Sequence, residues 1–446
     1  MLRFGSGIYN LRETEMIGDA GRSAHRTLHC TVHFLDGSQH DFELEKHALG
    51  QDLLNLSFEY LELLEKDYFG LQFTDLIPGP DSMRWLEPTK SIRKQMQCPP
   101  YILHFRVKFY VSDPSKLLEE YTRYHFYLQL RKDILDGHLV CPEPSLALLA
   151  SYAVQSEFGD HSSEEHGDNY LSSFRFISKQ SATFLQKVAD LHKQHRGQTP
   201  ADAEFNFLDH AKRLDTYGVE LFHAKDGNLA EVQLGVGAFG VGLFQQTVRT
   251  NTYPWSKIVK ISFKRKQFFL QLKPEPKSAD AILNFTLSST LTSKLLWKSC
   301  IEHHTFFRLV SPPAPVSKPL FAFGSRFRYS GRTEYQTLEE MKRRTRMQRP
   351  FTRFNSNGCF ARSTICGGST TYGRCKETAN FAGSPSTSGT NVHNSSAPST
   401  SASFKHANST VDGTPANGPW YVQLCFSCFF PEKIINTFYY CCSIIN

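Results

Sequence analysis

Long apolar runs are missing from this 446-residue chain. No stretch of 18 uninterrupted apolar residues occurs, so no membrane-spanning helix is expected. The first residues, Met1-Leu2-Arg3-Phe4-Gly5, lack the apolar core of a secretory signal. Cysteine is sparse over most of the chain. Of eleven, only Cys30, Cys98, Cys141 and Cys300 lie in 1–310, far apart and without pairing rhythm. That pattern suits buried thiols in a reducing compartment. A surplus of one charge sign is also absent from the body. Residues 1–310 carry 35 Lys and Arg against 37 Asp and Glu, whereas 311–446 carry 15 against 6. The overall +7 therefore belongs to the tail. A nucleic-acid reading of the whole chain loses its footing, and only the basic stretch 342–353 keeps one.

Some chemistries are missing too. Tyrosine phosphatase catalysis needs a Cys thiolate with an Arg six positions later to cradle phosphate. The residues six after Cys30, Cys98, Cys141 and Cys300 are Asp36, His104, Ala147 and Phe306, and no later Cys is followed by Arg at that distance. Gly235-Val236-Gly237-Ala238-Phe239-Gly240 spells a dinucleotide fingerprint. A strand-like run, Val241–Phe244, follows it instead of a helix, and no Asp or Glu occurs between Glu231 and Glu275. A hairpin is the better reading. His192-Lys193-Gln194-His195 and Glu302-His303-His304 lack third and fourth ligands at metal spacing, and read as surface histidines and helix packing. No metal, catalytic residue or cofactor is expected.

What is present is core material: aromatics are 13% of the chain, with 36 Phe and 18 Tyr. Residues 26–112 read as strands around one helix. Thr27–Phe34 and Gln39–Leu44 flank the Asp36-Gly37 turn, and Gly50–Leu64 has helical spacing. Tyr68–Phe73 and Tyr101–Val111 are strands, and Pro78-Gly79-Pro80 is a loop. This order suits a small ubiquitin-like roll. Residues 113–217 read as four helices: Pro114–Leu139, Pro144–Phe158, Phe184–His195 and Ala203–Tyr217, the last with Pro200 in its first turn. Residues 218–310 return to strands at Val219–His223, Glu231–Leu234, Val241–Phe244, Ile258–Phe263, Gln267–Leu272 and Ile282–Leu287. Tyr253-Pro254-Trp255 breaks the run. A helix, Ser288–Phe307, closes it with Leu291, Leu295, Leu296, Cys300 and Phe307 as an apolar stripe. Antiparallel strands capped by a helix describe a pleckstrin-like or phosphotyrosine-binding-like sandwich.

After Val310 the composition shifts. Residues 311–354 form a basic segment and 355–446 a low-complexity tail expected to be disordered. In Leu338–Phe354, Lys342, Arg343, Arg344, Arg346, Arg349 and Arg353 interleave with Met341, Met347, Phe351 and Phe354. The stretch fits a helix for calmodulin or anionic lipid, up to Arg349, or a basic linker. Cys425, Cys428, Cys441 and Cys442 allow a zinc site, palmitoylation or a divergent end without a fold of its own.

Several motifs carry a resemblance. His33-Phe34-Leu35-Asp36-Gly37, Tyr68-Phe69-Gly70-Leu71-Gln72, Trp85-Leu86-Glu87-Pro88 and Ile92-Arg93-Lys94-Gln95 resemble the first lobe of a FERM domain. Ala150-Ser151-Tyr152-Ala153-Val154-Gln155-Ser156-Glu157-Phe158-Gly159-Asp160 resembles the second. Tyr217-Gly218-Val219-Glu220, Tyr253-Pro254-Trp255, Lys260-Ile261-Ser262-Phe263 and Leu296-Trp297-Lys298 resemble the third. Glu120-Tyr121-Thr122-Arg123-Tyr124 and Ala203-Glu204-Phe205-Asn206 are most similar to the FERM–PDZ non-receptor tyrosine phosphatases of the protein 4.1 superfamily. Phe327-Arg328-Tyr329-Ser330-Gly331-Arg332-Thr333 resembles their FERM-adjacent segment. The phosphatases continue into PDZ and catalytic domains that this chain lacks.

The resemblance implies a three-lobed α+β fold: ubiquitin-like roll, four-helix acyl-CoA-binding-protein-like bundle and pleckstrin/phosphotyrosine-binding-like β-sandwich with its C-terminal helix. It implies a peripheral membrane–cytoskeleton adaptor at the cytoplasmic face of the plasma membrane. Expected partners are acidic phospholipids, cytoplasmic tails of membrane proteins and cortical cytoskeleton. The alternative is a truncated product or isoform of a FERM–PDZ tyrosine phosphatase whose FERM region targets an absent catalytic domain. Phosphoinositide headgroups would meet Lys90, Arg93, Lys94, Lys273 and Lys277, with Lys260, Lys264 and Lys266 as a third-lobe cluster on one strand face. A peptide would lie between Gln267–Leu272 and the last helix, against Phe268, Phe269, Leu270, Gln271, Trp297 and Ile301. Ser330 and Thr333 follow basic residues and resemble kinase sites.

Overall fold

Alternation of apolar and polar side chains builds the first lobe. In the computed structural model Thr27–His33 (β1) points Leu28, Cys30 and Val32 inward and pairs antiparallel with Gln39–Glu45 (β2). Gly37 makes the turn between them at φ +87°, a conformation glycine adopts freely. Gly50–Tyr60 (α1) stops four residues short of the expected Leu64. Glu62 sits at φ +52° and the Leu63 N–H bonds back to the Phe58 carbonyl at 3.0 Å, which closes the helix. Phe69–Thr74 (β3), Met83–Trp85 (β4), the short Ile92–Gln95 helix (α2) and Tyr101–Val107 (β5) complete a five-stranded sheet. Its order is β2-β1-β5-β3-β4, with β1 and β5 parallel. The sequence pattern missed β4 and α2, and β5 ends before the expected Val111. Both Lys108 and Phe109 N–H groups turn to the Tyr68 carbonyl there.

The structure describes residues 27–362 apart from 76–82, 165, 168–169, 173, 275–281, 314–326, 345–349 and 355–359. Pro78-Gly79-Pro80 and the cysteines from Cys359 onward lie outside the described residues.

The second lobe is helical. The expected helix Pro114–Leu139 divides into a 3-10 turn, Pro114–Lys116, and Glu120–Leu135 (α3). The Glu65 carboxylate of lobe 1 accepts the Leu118 and Glu119 N–H groups, each at 3.0 Å. That places negative charge at the start of α3, where the helix dipole favours it. Glu143–Phe158 (α4), Ala182–His192 (α5) and Pro200–Ala211 (α6) follow. A capping box starts α6. Thr199 Oγ1 accepts the Asp202 N–H at 3.2 Å, and Pro200 sits in the first turn.

The third lobe is one seven-stranded sheet and a helix. The strands are Glu220–Lys225 (β6), Glu231–Gly237 (β7), Gly240–Gln245 (β8), Val248–Pro254 (β9), Ile258–Lys264 (β10), Gln267–Leu272 (β11) and Ile282–Leu287 (β12), in the order β10-β11-β12-β6-β7-β8-β9. The glycine-rich motif is the β7–β8 hairpin. Gly240 has φ +140°, and a Cβ there would stand 2.2 Å from the Tyr253 carbonyl oxygen, so a side chain is excluded. Strand β9 corrects the expectation that Tyr253-Pro254-Trp255 breaks the sheet: the strand runs up to Pro254. Its mostly exposed residues carry no period-2 pattern to read. Thr290–Arg308 (α7) closes the lobe. Leu296 and Cys300 are buried as expected, but Leu291 is exposed, and Phe306 rather than Phe307 is the fully buried ring.

Aromatic residues lock the lobes together. Tyr68 of lobe 1 meets Phe126 of α3 at 5.9 Å and Phe306 of α7 at 5.6 Å. Phe109 stacks on Phe306 at 4.2 Å. The apolar core of lobes 1 and 2 is continuous and reaches Phe306, while lobe 3 has a separate core around Leu234, Phe268, Leu270 and Leu296. Gln129 of α3 accepts the Val107 N–H at 3.2 Å and donates to Asp133 at 2.8 Å. Beyond lobe 3, Glu334–Arg343 (α8) and the Thr352–Phe354 strand (β13), paired with Phe360–Arg362 (β14), return to the lobes.

Candidate functional site

The loop before α2 carries Lys90, and Arg93 and Lys94 lie on α2 itself; all three are exposed. The Gln95 amide holds this loop. It accepts the Glu87 N–H at 2.7 Å and donates to the Glu87 and Lys90 carbonyls at 3.0 Å each. Glu87 faces two ways. Lys90 Nζ is 2.7 Å from one of its oxygens, and Lys298 Nζ of α7 is 3.1 Å from the other. The cationic loop of lobe 1 therefore sits on the seam with lobe 3. Burial opposes ionisation of Glu87, yet the Lys90 hydrogen bond and the Lys298 charge hold its carboxyl below the usual range.

Behind this surface the seam is a closed charge chain. Lys298 also approaches Glu302 at 3.9 Å, and Glu302 bonds Lys108 of lobe 1 at 3.0 Å. Lys298, Glu302 and Lys108 are nearly buried, with side chains 11%, 8% and 12% exposed. Burial lowers the Lys298 ammonium, and Glu302 and Glu87 offset part of that. Glu220 beside them accepts the Ser299 hydroxyl, and burial raises its carboxyl. None of Glu87, Lys298, Glu302 or Lys108 was expected at the site. The motif Trp85-Leu86-Glu87-Pro88 signals Glu87, but nothing local in the sequence pairs it with a residue of the last helix.

The third-lobe cations divide. Lys260 and Lys264 share the exposed face of β10, opposite Ile261 and Phe263. Lys266 does not join them on the strand. It lies in the β10–β11 turn beside Arg265, whose φ is +55°. Lys273 is exposed and its N–H bonds the Lys257 carbonyl at 2.8 Å. Lys277 lies outside the described residues.

The expected peptide groove needs correction. Strand β11 pairs with β10 on one side and β12 on the other, so it offers no free edge. Phe268 and Leu270 are fully buried core residues, and Phe269 and Gln271 sit on the opposite face of the same strand. The sheet edge beside α7 is β10. The Trp297 ring stands 5.4 Å from Phe263 of β10, with Ile301 half-buried one turn on.

The basic stretch after lobe 3 is a clasp. Thr333 caps α8, accepting the Gln336 N–H at 3.2 Å and donating its hydroxyl to the Val310 carbonyl at 2.9 Å. Thr337 donates to Asp67 of lobe 1 at 3.1 Å, and Glu334 pairs with Lys116 of lobe 2 at 3.0 Å. Phe351 lies 4.9 Å from Tyr121 and 5.3 Å from Tyr124. Arg353 is 3% exposed. Its guanidinium bonds both oxygens of Glu204, at 2.7 and 3.0 Å, and also bonds Glu120. Burial opposes its charge, but those two carboxylates hold it well above the ordinary arginine range.

The chain matches the FERM N-terminal domain over residues 32–98, the FERM central domain over 112–222 and the FERM C-terminal PH-like domain over 226–315. The chain belongs to the FERM family. The FERM-adjacent family matches residues 319–358, which contain the clasp. Tyrosine-protein phosphatase 1 of Caenorhabditis elegans is 46% identical over 375 residues, 82% of this chain and 36% of the phosphatase. Tyrosine-protein phosphatase non-receptor type 4 of Homo sapiens is 48% identical over 351 residues, 77% of this chain and 37% of that protein. Band 4.1-like protein 2 of Homo sapiens is 47% identical over 315 residues, covering 70% and 31%. The chain thus spans about a third of the length of these relatives. The crystal structure of the FERM and C-terminal domain complex of Drosophila Merlin aligns with TM-score 0.57 and 27% identity, covering 63% of this chain and 96% of that one.

In the FERM-adjacent segment, Ser330 is exposed but Thr333 is fully buried. Thr333 is spent on the cap and closed to a kinase in this conformation. The helix ends at Arg343, so the stretch to Phe354 is not one amphipathic helix. The histidine reading divides: His192, His195 and His303 are buried, which suits helix packing and corrects the surface placement. His192 bonds Tyr170 at 2.9 Å and the Gly159 carbonyl at 2.8 Å; a carbonyl only accepts, so Nε2 carries the proton. Among the described residues, no three His, Cys, Asp or Glu side chains could hold a metal. Of the thiols, Cys30 and Cys300 are buried, Cys141 is half-buried, and Cys98 is exposed against expectation. Burial raises the Cys30 thiol to about 12. No helix among the described residues is long and apolar enough to cross a membrane.

Proposed function

We propose that this chain is a non-catalytic FERM adaptor linking the cytoplasmic face of the plasma membrane to the cortical cytoskeleton. One observation carries the reading. The exposed Lys90, Arg93 and Lys94 stand on a loop held against lobe 3 through Glu87 and Lys298. A phosphoinositide headgroup meets these cations through charge-assisted hydrogen bonds. Lys273, Lys260, Lys264 and Lys266 extend the positive field on lobe 3. The cytoplasmic tail of a membrane protein adds as a strand to the β10 edge, beside Trp297 and Ile301 of α7. Calmodulin would have to strip Phe351 and Arg353 from lobe 2, so the basic segment is assigned to the clasp. Phosphorylation at exposed Ser330 would weaken any membrane contact of that segment.

The deciding experiment is co-sedimentation of the full chain with vesicles, with and without phosphatidylinositol bisphosphate. Binding that needs the phosphoinositide and is lost in the K90E/R93E/K94E variant supports the site. Equal binding by parent and variant removes it. The two phosphatase relatives favour a second reading, in which this FERM region directs a catalytic domain carried by a longer product. Transcripts that continue past residue 419 into phosphatase coding sequence would establish it, and a stable endogenous protein of this length would favour the adaptor.

A further inference from the structure

A cleft of about 300 Å³ opens between the β1–β2 turn of lobe 1 and the helices of lobe 2. Its floor is hydrocarbon. Leu128 and Ile134 of α3, Leu149, Ala150 and Ala153 of α4 and Phe207 of α6 line it. The two alanines, where neighbouring positions carry leucine or valine, leave the space. Its volume sits at the lower end of those that hold small ligands. A cleft lined this way gains little from water and much from an alkyl chain.

The rim is charged, and mostly of one sign. Arg131, Lys132 and Arg175 line it against a single acid, Asp36. Asp36 is turned to its own hairpin, where Oδ1 accepts the Ser38 N–H at 2.9 Å and the Ser38 hydroxyl at 2.6 Å. Arg131 is committed to Glu157 and to the Tyr127 hydroxyl. Lys132 makes only a loose surface pair with Asp136 at 3.5 Å. Arg175 is exposed and makes no ion pair among the described residues. Apolar depth for one chain, with an unspent guanidinium and an ammonium at the mouth, describes a complement to a long-chain carboxylate.

We propose that this cleft binds a free fatty acid, its alkyl chain over Ala150 and Ala153 and its carboxylate at Arg175 and Lys132. The bound acid would touch lobes 1 and 2 together, far in the chain from the Lys90 loop. The test is calorimetric titration of the full chain with dodecanoate, dodecanol and dodecyltrimethylammonium, the two ions below their micellar concentrations and the alcohol below its solubility limit. Dodecanoate is expected to saturate at one per chain and to bind at least tenfold more tightly than the cationic amphiphile. Arg175→Glu, an exposed change that leaves the core alone, should weaken dodecanoate at least tenfold and shrink the gap between the two head groups. Ala153→Leu should abolish binding of all three, with Ala150→Leu as a second filler if the first lowers the melting temperature. The K90E/R93E/K94E variant should bind dodecanoate as the parent does, which keeps this result separate from the vesicle experiment. Absence of saturable dodecanoate binding overturns the proposal. So does binding indifferent to head-group charge, or binding that survives both Arg175→Glu and the filled floor.

Discussion

Arg353 shows what one side chain can hold. Its one positive charge is shared between Glu204, which is buried, and Glu120, which is partly exposed. Removing one partner of a buried pair costs about 3–5 kcal/mol, because the other charge stays buried. Arg353→Met is therefore expected to lower unfolding stability by that order in urea titration. Burial already raises the Glu204 carboxyl, with Arg353 pulling it down. Without Arg353 that carboxyl rises further, so the loss should shrink as pH falls and Glu204 takes a proton. A penalty as large at pH 5 as at pH 8 would contradict this. His192 and His303 work the other way. Burial lowers both to about 4 from the usual 6.5. Their folded forms resist protonation, so their contribution is whole above pH 6.5 and drains away between there and about pH 4. Buried carboxyls such as Glu65 and Glu220, raised by burial, oppose this slope. The comparison must be made between parent and variant. Thermal melts of His192→Gln should lose less stability than the parent on going from pH 7 to pH 4.5.

At the scale of elements, edges and caps decide. Strand β10 is the sheet edge beside the last helix, and β11 is paired on both sides. A bound tail peptide should therefore slow amide exchange in 258–264 and leave 267–272 unchanged. Protection confined to β11 would return the groove to where the sequence reading put it. That reading failed because strand order is set by pairing partners, not by strand length or alternation. Elsewhere, local pattern was enough. Leu28, Cys30 and Val32 alternate, and β1 is where the sequence puts it; Pro200 marks the start of α6, although that helix ends at Ala211 and not at the expected Tyr217. Strand β9 was illegible because its residues stay mostly exposed and carry no periodicity. The clasp was illegible for another reason. Arg353 and Glu204 are 149 residues apart, and a charge run looks the same whether its members stay in water or find buried partners. Thr333 could have been read from Thr333-x-x-Gln336, a capping box. The cap makes Thr333→Ala worth about 1 kcal/mol, seen as faster exchange across 334–343 with lobe 1 unaffected.

At the scale of the molecule, the three lobes share one aromatic joint. Tyr68, Phe109, Phe126 and Phe306 come from all three parts of the chain and touch. Truncating a buried Phe costs about 3–5 kcal/mol. Here the loss falls on a joint, so its signature should be lost cooperativity as well as lost stability. Phe306→Ala is expected to split thermal unfolding into two transitions, with lobe 3 separating from lobes 1 and 2. One transition, merely shifted, would show that the seam charges Glu87, Lys298, Glu302 and Lys108 suffice to keep the lobes coupled. The lobe order itself was legible early, since each lobe has its own periodicity. Their mutual arrangement was not, because it rests on contacts between residues hundreds of positions apart.

The clasp also has a place in time. Glu120 and Glu204 leave the ribosome well before Arg353, which follows Glu204 by 149 residues. At translation rates of about 5–20 residues per second, that delay is on the order of 10 s. During it the second lobe has two neighbouring acids with no cation between them, which opposes their close packing. Lobe 2 is therefore finished by residues synthesised after lobe 3, and a chain interrupted before Arg353 is left with a defect in its middle, not at its end.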